Sequence, residues 1–391
     1  MKIVMLCDLY DETLQYQENL LGKYYVKHGH EVTVIAATFS DAFDYYADRY
    51  DRNAPAREYR DGKVNVIKLP YSLNFLSKLR KFRGVDRILT REEPDLIFIH
   101  DIHLNLSDAA WYKRRHPTCR IIMDYHADFS NSAKNWLSLN VLHKLIRKAI
   151  LYRHRRLIDK FYPVVPASVD FLNEVYGIPR KDMELLPLGA DTDLAKRTML
   201  ENAGTGIRSA YGIPGDAVVI FTGGKLTPAK KTHLLVDAFL ALADPNLHLM
   251  VVGDSATEHA NYKRQLIHQC AGHPRVHFVG WVGAEAVYKF MGACDFAVFP
   301  ASQSVLWQQA LSMGLPLIVG RVGVQDSSYM NVYGNMIILD EEDIRPDVLA
   351  ANIHQFSTDR ALLARLRVAA LRATDDLLNY DKIVSKTLTF D

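Results

Sequence analysis

The sequence predicts an α/β chain of two doubly wound domains. Three observations carry that prediction. At 391 residues the chain is longer than one ordinary hydrophobic core. Near-continuous Val/Ile/Leu runs alternate with helix-length amphipathic segments, as in parallel sheets covered on both faces. The alternation also starts twice, once at Lys2 and again at Ala217.

In the first half the expected strands are Lys2–Cys7, Glu31–Ala36, Val64–Leu69, Leu96–His100, Arg120–Asp124 and Tyr162–Val165. Helical patterns fall at Gln17–His28 and Leu142–Asp159. In the second half the strands are Ala217–Thr222, His248–Val252, Val276–Val279, Phe296–Phe299 and Pro316–Val319. The stretch Asp193–Gly206 has glycines, polar residues and no strand signal, so it reads as the joint. The domains are therefore expected at 1–195 and 200–375, with a tail at 376–391. Asp359–Tyr380 is a long helical pattern rich in Ala, Leu and Arg.

With 49% hydrophobic and 24% charged residues the composition is that of a globular protein, which excludes disordered and collagen-like chains. No apolar run reaches the ~18 residues of a membrane-spanning helix. The start, MKIVMLCDLY, reads as a first strand and not as a signal peptide. Cys7, Cys119, Cys270 and Cys294 have neither zinc spacing nor disulfide density, so a reducing cytoplasm is expected. The net charge of +2 hides an excess of basic residues in 63–160, with 20 Lys+Arg against 9 Asp+Glu. Two readings stand: a solvated basic face, or a surface that meets a lipid layer or a phosphorylated acceptor.

A dinucleotide site needs a Gly-x-Gly-x-x-Gly turn after the first strand. No glycine occurs from Met1 to Leu21, so a nicotinamide or flavin enzyme is not expected. Tyr16, Gln17, Glu18 and Asn19 open the helix that follows and would line the sheet's carboxyl edge, or simply start the helix. In the second half, Gly223-Gly224-Lys225 and Lys230 follow a strand. Paired glycines let backbone N–H groups approach a ligand, and two lysines five residues apart can bracket a diphosphate. Ser304 is a candidate N-cap for a helix starting at Val305, whose Val305 and Leu306 N–H groups would face an anion. A purely structural strand-loop-helix unit fits the same residues.

Several pieces in order resemble one known group. The start MKIVMLCDLY with GKYYVKHGHEVTVIAA is similar to the first strand, helix and second strand of the family-4 retaining glycosyltransferases with the GT-B fold. Pro94–Asp101, Leu186–Asp191, Gly224–Lys230, and Asp295–Pro300 followed by Gln309–Pro316 resemble that family's further motifs. Tyr16–Asn19, Ser304–Gln309 and Asn331–Asn335 look most like enzymes of bacterial surface-polysaccharide assembly.

The resemblance implies two Rossmann-like domains facing across a cleft, with the C-terminal helix packing back on the first. It implies a nucleotide-diphosphate sugar as donor, no cofactor, no nucleic acid and no metal, which sets aside a site from His100, His103 and His126. Lys225, Lys230 and the Val305 and Leu306 amides would stabilise the leaving diphosphate. Trp281 and Val282 would meet the base, and Gln303, Ser304 and Gln309 the ribose or sugar. His126 would face the sugar or the acceptor, with Asp101 and Tyr16–Asn19 on the acceptor side. The family's donor motif usually holds two glutamates; here Ala301 and Gln309 stand in those positions. A sugar-nucleotide epimerase and a non-catalytic accessory subunit are the alternatives. The acceptor would be a glycan or a lipid diphosphate. Lys144–Lys160 reads as a basic amphipathic helix that would bring the protein to the anionic inner face of the membrane.

Overall fold

The structure is a computed structural model that describes residues 1–41, 44–45, 47, 49–301, 303–323 and 326–390. The chain forms two compact units: Met1–Pro187 joined by the residues from Ile383 onward, and Leu188–Lys382.

The first unit contains β1 (Lys2–Leu6), β2 (Glu31–Ala37), β3 (Arg57–Asp61), β4 (Val64–Leu69), β5 (Tyr71–Phe75), β6 (Leu79–Phe82), β7 (Leu96–His100), β8 (Arg120–Tyr125) and β9 (Lys160–Pro163). Seven of these make one sheet in the order β3-β4-β2-β1-β7-β8-β9. All neighbours run parallel except β3, which is antiparallel to β4. Val4, Leu6, Ile35, Ile97, Ile99 and Met123 belong to its main core. β5 and β6 pair as a separate antiparallel hairpin.

The second unit contains β10 (Val218–Gly223), β11 (Leu247–Val252), β12 (Val276–Gly280), β13 (Phe296–Phe299), β14 (Leu317–Gly320) and β15 (Met336–Leu339). They form an all-parallel sheet in the order β12-β11-β10-β13-β14-β15. Each sheet reverses its winding once, between β1 and β7 and between β10 and β13. At such a point the loops leave in opposite directions and open a crevice at the carboxyl edge.

Every expected strand is present, most within one residue. Tyr162–Val165 is the exception: the strand sits at Lys160–Pro163, because Val165 precedes Pro166, which opens a helix to Tyr176. β3, the β5–β6 hairpin and β15 were not expected. The stretch read as a joint, Asp193–Gly206, lies largely in two helices, Thr192–Leu200 and Ala203–Ala210. The first is capped by the Asp191 carboxylate, which accepts the Leu194 N–H. The basic pattern at Leu142–Asp159 is not one uniform helix. Turns of π-helical width span Ser138–Arg147, an α-helix follows at Lys148–His154, and a tight turn closes it at Arg155–Leu157.

The last helix, Tyr380–Leu388, carries the chain back to the first unit, as expected of the fold. There the Tyr162 hydroxyl donates to the Lys386 carbonyl at 3.0 Å, Lys386 pairs with Glu184 at 3.3 Å, and Tyr25 and Thr387 share a buried hydroxyl–hydroxyl bond.

Two glycines in the helix Ala203–Ala210 make opposite demands. A Cβ on Gly204 would stand 2.1 Å from the Gly292 carbonyl oxygen of the helix Ala284–Gly292, whereas one on Gly206 would meet nothing within 4 Å. Gly204→Ala should destabilise the protein by about 1–3 kcal/mol, as overpacking does. Gly206→Ala should be neutral or stabilising by up to about 1 kcal/mol. Thermal unfolding of both variants checks this, and equal midpoints would show that the helix contact is not close.

Candidate functional site

Side chains with the chemistry of a site gather at both winding reversals. On the first unit, β8 ends in Asp124, whose side chain is fully buried. Its Oδ2 lies 2.8 Å from His100 Nδ1, at the end of β7, and 3.2 Å from His126 Nε2. Its Oδ1 accepts the Asp101 N–H at 3.3 Å, and Asp101 Oδ1 in turn accepts the His126 N–H at 3.0 Å. Asp101 adopts a left-handed backbone, φ +60°, to make this exchange.

The charges follow from the contacts. Burial alone would raise the Asp124 carboxyl, but the two imidazoles outweigh it and hold the group well below the usual carboxylate range. Burial likewise disfavours a charged His126, yet the Asp124 carboxylate prevails and pushes it up to about 9. His100 is raised for the same reason, against its own burial. His126 is therefore a cation and a hydrogen-bond donor at neutral pH, not a general base. Its side chain is 35% exposed, so it can meet a ligand. Glu18 lies within electrostatic reach: burial raises its carboxyl, and the charges of His100 and His126 pull it back.

His103, considered on sequence with His100 and His126 as a metal set, turns elsewhere. Its Nε2 is 3.3 Å from Asp8 Oδ1, just after β1. Asp8 also accepts from the Tyr71 hydroxyl at 2.7 Å and from Arg80 at 2.9 Å. Three residues that do have metal-ligand chemistry are His100, Asp124 and His126, with one ligand atom each within 4.8 Å of one another. In the structure those imidazole nitrogens are directed at the Asp124 oxygen.

Among the other residues expected on this side, Tyr16 is the extended residue before the helix Gln17–Lys27. Asn19 donates to the Asp11 carbonyl at 3.1 Å. Gln17 is 6% exposed, and neither atom of its amide has a hydrogen-bond partner among the described residues.

On the second unit, β10 runs into Gly223 and Gly224. Gly224 has φ +102°, and a Cβ there would lie 3.8 Å from Ser304 Oγ and 3.4 Å from Leu306 Cδ1. The loops after β10 and β13 thus touch, and Lys230 fastens them by donating to the Gln303 carbonyl at 3.3 Å. The Gln303 side chain donates to the Tyr329 hydroxyl at 3.0 Å. Burial, and then the neighbouring Lys225, push the Lys230 ammonium down to about 8. The loop after β11 joins them: a Cβ on Gly253 would stand 2.0 Å from the Gly224 oxygen, so only glycine fits. Gly253 N–H donates to the Gly280 carbonyl at 2.9 Å, which brings the half-exposed Trp281 alongside. Val282 packs on the core.

The short helix begins at Leu306, one residue later than expected, and runs only to Ser312. Ser304 Oγ accepts the Leu306 N–H at a long 3.4 Å, and the Ser304 carbonyl accepts the Trp307 N–H at 3.0 Å. The two residues that replace the usual glutamates are both buried: Ala301 is 1% and Gln309 5% exposed, and Gln309 Oε1 has no donor among the described residues.

Sequence reasoning missed Asp124, Asp8, Arg80, Tyr71 and Tyr329. Asp124 was legible in part. It stands two residues before His126 at a strand end, so both side chains leave the same face. Arg80 and Tyr71 had no local signal, because they come from a hairpin that was not expected.

Comparison with known proteins gives the same picture for both units. The model of Glycosyltransferase Family 4 matches residues 20–194, and that of Glycosyl transferases group 1 matches residues 216–359. Mannosylfructose-phosphate synthase of Agrobacterium fabrum is 26% identical over 239 residues, which are 56% of this chain and 48% of that protein. The chain thus spans about half the length of that relative. The putative glycosyltransferase YtcC of Bacillus subtilis is 23% identical over 86% of this chain and 82% of its own. In fold, the chain is similar to Anabaena Alr3699/HepE, solved in complex with UDP, with a TM-score of 0.68 and 18% identity, covering 99% of this chain and 98% of that one.

The Asp124 arrangement predicts how His126 titrates. Its imidazole resonance should change with a midpoint near 9 in the native protein. In Asp124→Asn burial is opposed only by Asp101 and Glu18, so the midpoint should fall. An NMR titration with His126 assigned checks this, and an unmoved midpoint would remove Asp124 as the cause.

Proposed function

We propose that this chain, which belongs to the glycosyltransferases of the GT-B fold, moves a sugar from a nucleotide-diphosphate donor to a hydroxyl acceptor with retention of configuration. The observation that carries the reading is the cradle at the β10–β13 reversal, where Gly224, Lys230, Gln303 and Ser304 converge. A diphosphate needs close backbone and compact positive charge, and the cradle has both. HepE binds UDP, which supports a uridine diphosphate sugar as the first donor to try.

In this mechanism the bond from C1 to the diphosphate oxygen breaks as the C1–acceptor oxygen bond forms on the same face. The transition state is oxocarbenium-like. Charge builds on the departing diphosphate, where Lys225 and Lys230 meet it, and a phosphate oxygen takes the acceptor's hydroxyl proton. No residue is needed as nucleophile and no metal as clamp. Trp281 offers a face to the base. Gln309 Oε1 accepts from a ribose or sugar hydroxyl, in place of the family's charged glutamate. His126, a cation, donates to a sugar hydroxyl or orients the acceptor, with Asp101 holding its backbone. Tyr16, Gln17, Glu18 and Asn19 form the acceptor side, where Gln17's unpartnered amide suits a polyhydroxylated ligand.

The acceptor is a glycan or a lipid diphosphate in polysaccharide or glycoconjugate synthesis. We place the reaction in the cytoplasm, at the inner membrane face when the acceptor is lipid-linked. Four buried, unpaired cysteines support a reducing compartment. No helix among the described residues is long and apolar enough to cross a membrane.

Incubation with UDP-sugars tests the reading. Transfer to an added acceptor with retained anomeric configuration supports it, whereas conversion of the donor without an acceptor would mean an epimerase. Binding without turnover on any acceptor would mean an accessory subunit. A charge-assisted contact contributes about 1.5–3 kcal/mol, so Lys225→Ala and Lys230→Ala should each weaken UDP binding about ten- to hundred-fold. Lys230 loses its proton near pH 8 in the free protein. UDP affinity should therefore fall as pH rises through about 8, and Lys230→Ala should flatten that fall. Calorimetry at several pH values reads both effects, and unchanged affinity in the double variant would take the lysines out of the site.

A further inference from the structure

Large apolar side chains stand out of the first unit in two stretches. At the β5–β6 hairpin Leu73 is 47%, Phe75 58% and Leu76 75% exposed. Just before the π-helical segment Trp136 is 72% and Leu137 64% exposed, and within it Leu145 is 64% exposed. Single exposed apolar residues need no explanation, but a cluster does. The two stretches adjoin, since Arg147 on the helix donates to the Lys78 carbonyl of the hairpin turn at 3.0 Å. Leu137, Val141 and Leu145 recur every fourth residue, which places them along one side of these wide turns.

The hairpin turn is odd in a second way. Leu76 and Ser77 both have left-handed backbones, φ +49° and +54°, and the Lys78 N–H closes the turn on the Phe75 carbonyl at 3.1 Å. Two such positions in a tight hairpin ordinarily hold Asn or Gly. A leucine there is conformationally costly and gains no burial. The turn does not ask for it, so something outside the unit does.

The charge says what. Neither 62–85 nor 129–158 contains a single Asp or Glu. Acids from other elements do reach the hairpin: Asp8 pairs with Arg80 and Asp108 with Lys81. Those engage the inner lysine and arginine of β6, whereas Lys78, Lys134 and Lys144 flank the apolar tips. The basic face expected along Lys144–Lys160 is less available. Arg155 pairs with Asp182, Lys160 pairs with Glu184, and Lys148 donates to the Val175 carbonyl.

We propose that the first unit docks on an anionic bilayer through these two stretches. Leu73, Phe75, Leu76, Trp136, Leu137 and Leu145 enter the interface, and Lys78, Lys134 and Lys144 meet the headgroups. Apolar tips ringed by lysine, with an indole at the edge, fit that boundary in both polarity and charge. The proposal shares the membrane with the reading above and rests on it for nothing else, because docking needs no glycosyl transfer.

Sedimentation with vesicles tests it on the whole chain. The protein should partition at least about tenfold more strongly onto phosphatidylcholine/phosphatidylglycerol vesicles than onto phosphatidylcholine alone at low salt, and high salt should reduce the difference. Leu76→Asn suits the left-handed turn and so keeps the fold. Combined with Trp136→Ser it should lower partitioning at least about tenfold. Lys78→Glu with Lys144→Glu should lower it comparably. UDP binding should be untouched by all of these, which separates failure of docking from failure of the transferase reading. Equal partitioning of the Leu76→Asn/Trp136→Ser variant would overturn the proposal. So would a wild-type protein that stays in the supernatant at low salt, or a dimer without vesicles that Leu76→Asn abolishes.

Discussion

Both units depend on one constraint: a parallel sheet buried on two faces can present chemistry only at its edges. β1, β7 and β8 are apolar along nearly their whole length. Apart from Lys2 and Arg120 at the amino ends, their polar residues come at the carboxyl ends, as His100, Asp124 and, just beyond, Asp8 and His126. The same holds for β10 and β13, which run apolar until Thr222 and Pro300. The reversal of strand order then decides which of these ends open onto a crevice. Two sheets with unrelated residues therefore build their polar clusters in the same topological place.

Placing charge at such an edge has a cost that the first unit meets by sharing. A buried carboxylate is tolerated when its lone pairs are occupied by good donors. Asp124 has two imidazoles and a backbone N–H. The exchange through Asp101 returns a hydrogen bond to His126, so the group closes on itself. The second unit works the other way. It crowds Lys225 and Lys230 together in partial burial and lowers the latter's proton affinity. One cluster pairs its carboxylate from within, leaving only His100 Nε2 without a partner among the described residues. The other holds like charges whose repulsion an anion would relieve.

Much of this was legible in the sequence because it is local. Apolar runs named the strands, and the paired glycines and lysines marked the loop after β10. What was not legible depends on residues distant in the chain. Arg80 reaches Asp8 across 72 positions, and Tyr71 reaches it across 63. β3 and the hairpin carry exposed, mixed residues with weak periodicity, so no pattern announced them. The supposed joint failed for the opposite reason. Its glycines looked like a linker, but Gly204 is there because a helix backbone passes against it. A glycine selected for close packing and one selected for a turn look alike in sequence.

The return of the chain to its beginning has a consequence for biosynthesis. Tyr25 and Tyr162 sit in the first unit, but Thr387 and Lys386, which receive their hydroxyls, come from the helix after Ile383. On the ribosome the first unit emerges whole except for that helix, and roughly 200 residues must follow before it appears. At about 5–20 residues per second the wait is on the order of ten to forty seconds. Throughout it two buried tyrosines face an unfilled groove. The nascent first unit is thus an incomplete fold that only the residues from Ile383 onward can finish.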